Sequence, residues 1–169
     1  MKRRGLSLSI VLLIFAIFVV AAINLELIPE ANPETRVLPA NLAGIEMYSS
    51  VTGAEAILDI SRLHGKDFPI NSANIGSYGS KHEITVWVAS TSLVSIAQGM
   101  ILDMEESISV GTTPFRPEGD RDQDGRRIYE LSGMGQLHFY FRSDNNVVWL
   151  AADPRLANEA LGQLLEYFP

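Results

Sequence analysis

Residues 136–142 (QLHFYFR) and residues 146–151 (NVVWLA) decide the fold of this chain. Large apolar residues alternate with polar or amphipathic ones in the first segment, which is the pattern of a β-strand with two different faces. Residues 147–152, which overlap the second segment, are apolar on both faces, and this is typical of a central strand. Because only residues 143–145 separate the two segments, they are predicted to pair as an antiparallel hairpin.

Further strands and helices follow outward from this hairpin. Residues 127–131 and 83–89 carry the pattern of strands, and residues 69–78 form at best an edge strand. Apolar residues recur at helical spacing in three regions, within residues 56–63, 93–108 and 157–168. The sequence therefore predicts an α+β domain in the order α-β-β-α-β-β-β-α. Its antiparallel sheet has four or five strands, and about three helices pack mainly on one face.

The N-terminus predicts a membrane location. Lys2, Arg3 and Arg4 precede the uninterrupted apolar stretch of residues 6–23, which is just long enough to cross a bilayer. Basic residues stay on the cytoplasmic side, so the remainder of the chain is expected outside the cytoplasm. We expect residues 1–23 to be a transmembrane signal anchor in a single-pass protein. The alternative is cleavage near Val20-Ala21-Ala22, which would make the protein secreted.

The remainder divides into a polar stalk, residues 24–36, and one extracytoplasmic domain, residues 37–169. The chain has no cysteine, so disulfides, thiolate metal sites and cysteine nucleophiles are excluded. It carries 20 acidic against 13 basic residues, which argues against binding to nucleic acid. The predicted partners are the membrane, through residues 6–23, and another protein of the cell envelope.

One stripe of the 136–142 strand is the candidate partner-binding surface. His138, Tyr140 and Arg142 share the face opposite Leu137, Phe139 and Phe141. If the helices cover the apolar face, the stripe points outward, and aromatic and arginine side chains are enriched at interface hot spots. The alternative is an ordinary solvent face of a one-sided sheet.

Two patterns raise the alternative of an ion-binding protein. Asp120, Asp122 and Asp124 precede Gly125 in a D-x-D-x-D-G string that resembles the first half of EF-hand calcium loops. The resemblance covers six residues, and Leu131 stands where the EF-hand places its bidentate glutamate, so a solvated turn is the competing interpretation. A transition metal at histidines is the second possibility.

The sequence contains no motif of a known enzyme class, such as a nucleophile elbow, a phosphate loop or a zinc-hydrolase helix. We therefore expect a non-catalytic, membrane-anchored accessory or interaction subunit without a required cofactor. An extracytoplasmic protein that binds calcium, another metal or a small ligand is the alternative.

Overall fold

One antiparallel sheet organises the protein. The computed structural model describes residues 38–64, 67–111 and 113–169, and these residues form eight strands and three helices in one compact unit. The helices are α1 (Ala54–His64), α2 (Val94–Ser109) and α3 (Ala157–Tyr167). The strands are β1 (Asn41–Leu42), β2 (Ile45–Thr52), β3 (Ile70–Tyr78), β4 (Ile84–Thr91), β5 (Arg116–Gln123), β6 (Arg126–Gly133), β7 (Gln136–Ser143) and β8 (Asn146–Ala152).

The strands lie side by side in the order β1-β2-β3-β4-β8-β7-β6-β5, and every neighbouring pair is antiparallel. Tight two-residue turns connect the strands from β5 to β8. In the β5–β6 turn, Asp124 and Gly125 have φ angles of 53° and 75°. Such a turn matches the right-handed twist of a hairpin, and Asp-Gly is among its favoured pairs. Strand β8 lies between β4 and β7, so the prediction of a central strand there is confirmed.

Helices cover both faces of the sheet. On the α3 face, the side chains of β4, β7 and β8 pack against helix α3 in one large core; its bulkiest members include Tyr78, Phe139, Phe141, Leu164 and Phe168. On the opposite face, which we call the α1/α2 face, Ile60 of α1 and Met100 and Ile101 of α2 pack over a second core. β8 is apolar on both sides because it faces both cores.

Helix α3 is tied to the sheet by hydrogen bonds at its C-terminal end. The Arg126 guanidinium donates to the carbonyl oxygen of Leu165 at 3.0 Å and to that of Phe168. Ser143 Oγ donates to the carbonyl oxygen of Pro169 at 2.7 Å. A cation is favourable here because the last carbonyls of a helix have no partners within the helix.

The prediction of four or five strands is wrong, since the sheet has eight. Strands β1, β2 and β5 were not expected, because β1 is only two residues long and most side chains of β2 and β5 remain exposed. β5 lacks the alternation of apolar and polar residues that marks a half-buried strand. In β2 the alternation is carried by Ile45, Met47 and Val51 only, and an irregular register after Met47 interrupts it. The placement of the helices is also corrected, because α3 packs on the face opposite α1 and α2. The α+β class and three helices are confirmed.

The described residues begin at Leu38. The predicted anchor and stalk, residues 1–23 and 24–36, therefore lie outside them. Within residues 38–64, 67–111 and 113–169, no helix is long and apolar enough to cross a membrane.

Candidate functional site

An aromatic row crosses the α1/α2 face. Cross-strand pairing places Trp87 opposite Trp149, Trp149 opposite Tyr140, and Tyr140 opposite Tyr129. The Tyr129 and Tyr140 rings stack at 4.5 Å between centroids, and those of Tyr140 and Trp149 at 5.4 Å. At one end of the row, Tyr129 Oη donates to Glu105 of α2 at 3.2 Å. The row therefore fixes α2 to the sheet.

His138 lies beside this row with both ring nitrogens in hydrogen bonds. The Trp149 indole N–H donates to Nδ1 at 3.2 Å, so Nε2 carries the proton and donates to the Gly133 carbonyl oxygen at 3.1 Å. The Phe115 ring packs 4.7 Å from the imidazole. Burial lowers the pKa of His138, and the bond to Gly133 opposes this shift more weakly. The imidazole is therefore held neutral, and neither nitrogen is free to bind a metal.

The predicted partner-binding stripe is largely internal. His138 is 3% exposed and Tyr140 is 1% exposed, because α2 and Phe115 cover the face that was expected to be open. Arg142 is partly exposed and donates to Gln98 of α2 at 3.1 Å. The sequence places these residues on the correct face, but the expectation that this face points outward is wrong. Partner binding through them stays an untested prediction, and two of the three are out of a partner's reach.

A shallow cleft opens on the same face, between α1 and the sheet, with a volume of about 530 Å³. Cross-strand pairs form its floor, with Ser77 opposite Thr85 and Ile75 opposite Trp87. Helix α1 forms one wall because Ala56 and Ile60 anchor it on the sheet. That wall carries three side chains, the acidic Asp59, the basic Arg62 and the apolar Leu63.

The floor of the cleft offers hydrogen-bonding groups that the protein itself does not use. Within residues 38–64, 67–111 and 113–169, the only buried side-chain polar atoms without a partner are Ser72 Oγ and Arg126 Nε. Three polar groups of the floor make no hydrogen bond within the described part of the chain: the hydroxyls of Ser77 and Thr85 and the indole N–H of Trp87. They are therefore solvent-accessible and can bind a ligand.

The wall of the cleft is charged and apolar at once. Arg62 and Asp59 form an ion pair at 3.0 Å, and the Arg62 side chain is 74% exposed. Leu63 is 69% exposed although it lies on a helix that packs on the core. The sequence offers Trp87 only as an extension of the stripe of His138, Tyr140 and Arg142, and it does not mark the other cleft residues as binding groups. Only the apolar Leu63, at the end of an amphipathic helix, gave any signal, and it was assigned to the core.

The three aspartates of the predicted calcium loop belong to a hairpin. Asp120 and Asp122 lie on β5, and Asp124 is in the β5–β6 turn. Arg127 pairs with Asp120 at 2.9 Å and neutralises one of the expected ligands. The expected turn at Asp124-Gly125 is confirmed, but Asp120 and Asp122 belong to a strand and not to a loop. Calcium binding stays an untested prediction.

The three histidines contact different aromatic rings, and none shares a ring with another. His64 packs on Phe68 and His82 on Tyr48, whereas His138 packs on Phe115. His64 Nδ1 lies 2.8 Å from the Ile60 carbonyl oxygen, so the imidazole serves one of the last carbonyls of α1. In the part of the chain that the structure describes, no three His, Cys, Asp or Glu side chains are grouped to hold a metal.

Comparison with protein-family models, curated proteins and solved structures finds no match to this chain.

Proposed function

We propose that the chain is a membrane-anchored, non-catalytic subunit that works outside the cytoplasm and holds a partner protein in the cleft between α1 and the sheet. The cleft carries this proposal. It combines unused hydrogen-bonding groups on its floor, at Ser77, Thr85 and Trp87, with an exposed leucine on its wall. Interfaces combine such an apolar centre with a few polar contacts.

The shape of the cleft favours a protein partner over a small ligand. Small-molecule sites enclose most of their ligand, whereas this cleft is shallow and open. The exposed Leu58 and Leu63 extend the apolar surface along α1 beyond the cleft itself. A protein segment can cover the cleft and the helix together, and aromatic and arginine side chains such as Trp87 and Arg62 are typical anchors.

The membrane part of the proposal rests on the sequence of the N-terminus. Residues 2–4 are basic and residues 6–23 are apolar, which favours an uncleaved anchor with the N-terminus in the cytoplasm. Extraction of membranes with alkaline carbonate should leave the full-length chain in the membrane pellet. Protease given access to the outer face of the cytoplasmic membrane, in cells whose outer layers have been opened, should digest the C-terminal domain. A soluble or protected domain would contradict this location.

Partner binding is tested by filling the cleft. The tagged full-length protein is crosslinked in its native membrane, purified in mild detergent and analysed by mass spectrometry. Ser77→Arg should displace a stoichiometric partner, because the long side chain occupies the floor without removing a core residue. Ser109→Arg, the same change at an exposed position outside the cleft, is the matched control and should retain the partner.

Thermal melting must show that both variants are folded. A folded Ser77→Arg protein that retains the partner as well as Ser109→Arg would refute the assignment of the cleft.

A further inference from the structure

The two edges of the sheet differ in how they are protected against pairing with another strand. The β5 edge has the sequence RPEGDRDQ, with a proline, five charged side chains and an irregular register between Pro117 and Gly119. Charges, proline and bulges are the common devices that prevent an edge strand from pairing. β5 is therefore a blocked edge.

The β2 edge carries no charged side chain after Glu46. Strand β1 pairs only with Ile45 and Glu46, and among the described residues no strand pairs with the outer side of β2 beyond them. The Met47 N–H still donates to the Ala40 carbonyl oxygen at 2.8 Å, so the open part of the strand is residues 48–52, which reads YSSVT and is mostly exposed. An uncharged and uncovered edge of this kind is a template for another strand.

The free backbone groups on this edge can be assigned. The Gly53 N–H donates inward to the Ala73 carbonyl oxygen at 2.9 Å, across the β2–β3 ladder. Backbone groups of successive residues point to opposite sides of an antiparallel strand. Val51 therefore also points inward, whereas the N–H and C=O groups of Ser50 and Thr52 point outward, away from β3.

We propose that the β2 edge pairs with the β2 edge of a second copy of this chain, in an antiparallel arrangement with its twofold axis at Val51. In this register Ser50 of one copy is opposite Thr52 of the other. All four outward groups of each copy then find partners, which gives four hydrogen bonds across the axis. A twofold interface places the same surface on both subunits, and an antiparallel strand pair meets this condition.

The charge of the chain favours this edge, rather than another surface of the molecule, as the place where a second copy binds. The chain carries 20 acidic and 13 basic residues, so two copies repel each other over much of their surface. Residues 47–52 are uncharged and avoid this repulsion. Space is also sufficient, because α1 lies more over β3 than over β2. With strands about 4.8 Å apart, the β3 strands of the two copies are about 14 Å apart. Packed helices need only about 8–10 Å between their axes, so the two copies of α1 fit side by side.

The absence of cysteine from the sequence makes a direct test possible. In the proposed register the two Val51 residues face each other with their Cα atoms about 4.5 Å apart. This distance lies within the range of about 4.4–6.8 Å that a disulfide bridges. The full-length Val51→Cys protein in mild detergent should therefore form a covalent dimer on mild oxidation.

Ser49→Cys is the matched control, on the same strand and the same face but more exposed than Val51. Its two copies would lie four residues apart along the strand, about 13 Å, and should not crosslink. Equal crosslinking of the two variants would mean random collision and would overturn the proposal. Absence of crosslinking at Val51, as expected if residues 24–36 or another protein covered the edge, would also overturn it.

A second variant tests the hydrogen bonds without a crosslink. Ser50→Pro removes an outward N–H and leaves the β2–β3 ladder intact, as proline does on edge strands. The mass of the detergent-solubilised protein, measured by light scattering, should fall from that of a dimer to that of a monomer. A dimer that survives Ser50→Pro in a protein with unchanged melting behaviour would overturn the proposed pairing.

Discussion

Replacement of His138 by phenylalanine should destabilise the domain and remove part of its sensitivity to acid. The Trp149 indole N–H and the Gly133 carbonyl oxygen both have His138 as their hydrogen-bond partner. Phenylalanine fills a similar volume but pairs with neither group. In a site that is 3% exposed, water cannot replace the lost bonds without rearrangement.

The magnitude follows from the two groups left unpaired. Each buried polar group without a partner costs about 1–3 kcal/mol, so His138→Phe should lower the free energy of unfolding by roughly 2–6 kcal/mol at neutral pH. For a domain of this size each kcal/mol lowers Tm by about 3–5 °C, which predicts a fall of roughly 6–30 °C.

The pH dependence has a defined sign. Burial lowers the pKa of His138 in the folded protein, so the unfolded chain takes up the proton first as the pH falls. The stability that the neutral imidazole contributes is therefore complete above its ordinary pKa of about 6.5 and is lost below it. For a single proton the slope is at most about 1.4 kcal/mol per pH unit. The His138→Phe variant lacks this dependence.

Urea unfolding of both proteins from about pH 8 to about pH 5 measures the effect, because the other titrating groups are common to both and cancel in the difference. The stability advantage of the wild-type protein should shrink as the pH falls through this range. An advantage that stays constant over the whole range would refute the assignment of His138 as a buried, neutral hydrogen-bonding group.

Three further predictions concern single substitutions. Arg126→Ala should lower the free energy of unfolding, measured in urea, by about 2–3 kcal/mol, because it leaves carbonyls at the end of α3 without their charged donor. The control Arg155→Ala removes only an exposed ion pair and should lower it by less than about 1 kcal/mol. Gly133→Ala should lower Tm, since the added Cβ would lie 2.8 Å from an aromatic carbon of Phe115. Gly99→Ala lies within α2, where an added Cβ meets nothing inside 4 Å, so it should raise the free energy of unfolding by up to about 1 kcal/mol and raise Tm. Millimolar calcium should leave Tm unchanged in the wild-type protein and in Asp122→Ala; a rise in Tm that Asp122→Ala abolishes would instead establish a calcium site.

The sequence predicts the interior of the sheet better than its edges. Strands β4, β7 and β8 alternate or are apolar throughout because their side chains meet a core, and this burial leaves a readable pattern. The side chains of β5 stay mostly in water, so backbone pairing alone specifies this strand. No periodic pattern marks it, and only the Asp124-Gly125 turn signal was available.

The candidate site was misplaced for a related reason. The alternation in residues 136–142 assigns His138 and Tyr140 to one face correctly, but it does not say what covers that face. The adjoining strand β8 held the missing information. A strand that is apolar on both sides requires a cover on both sides, so helices on one face alone were inconsistent with the central position assigned to residues 147–152. The cleft escaped prediction because it is formed by residues from α1, β2, β3 and β4 that are distant in sequence.

The pairing of Trp87 with Trp149 across β4 and β8 also makes the protein a reporter of its own state. These are the only two tryptophans in the chain, and they occupy different surroundings: Trp87 lines the solvent-accessible cleft, whereas Trp149 bonds to the buried His138. Their emission should therefore respond to different events, Trp87 to occupation of the cleft and Trp149 to protonation of the imidazole. Two single-tryptophan variants would separate these signals without any added fluorophore.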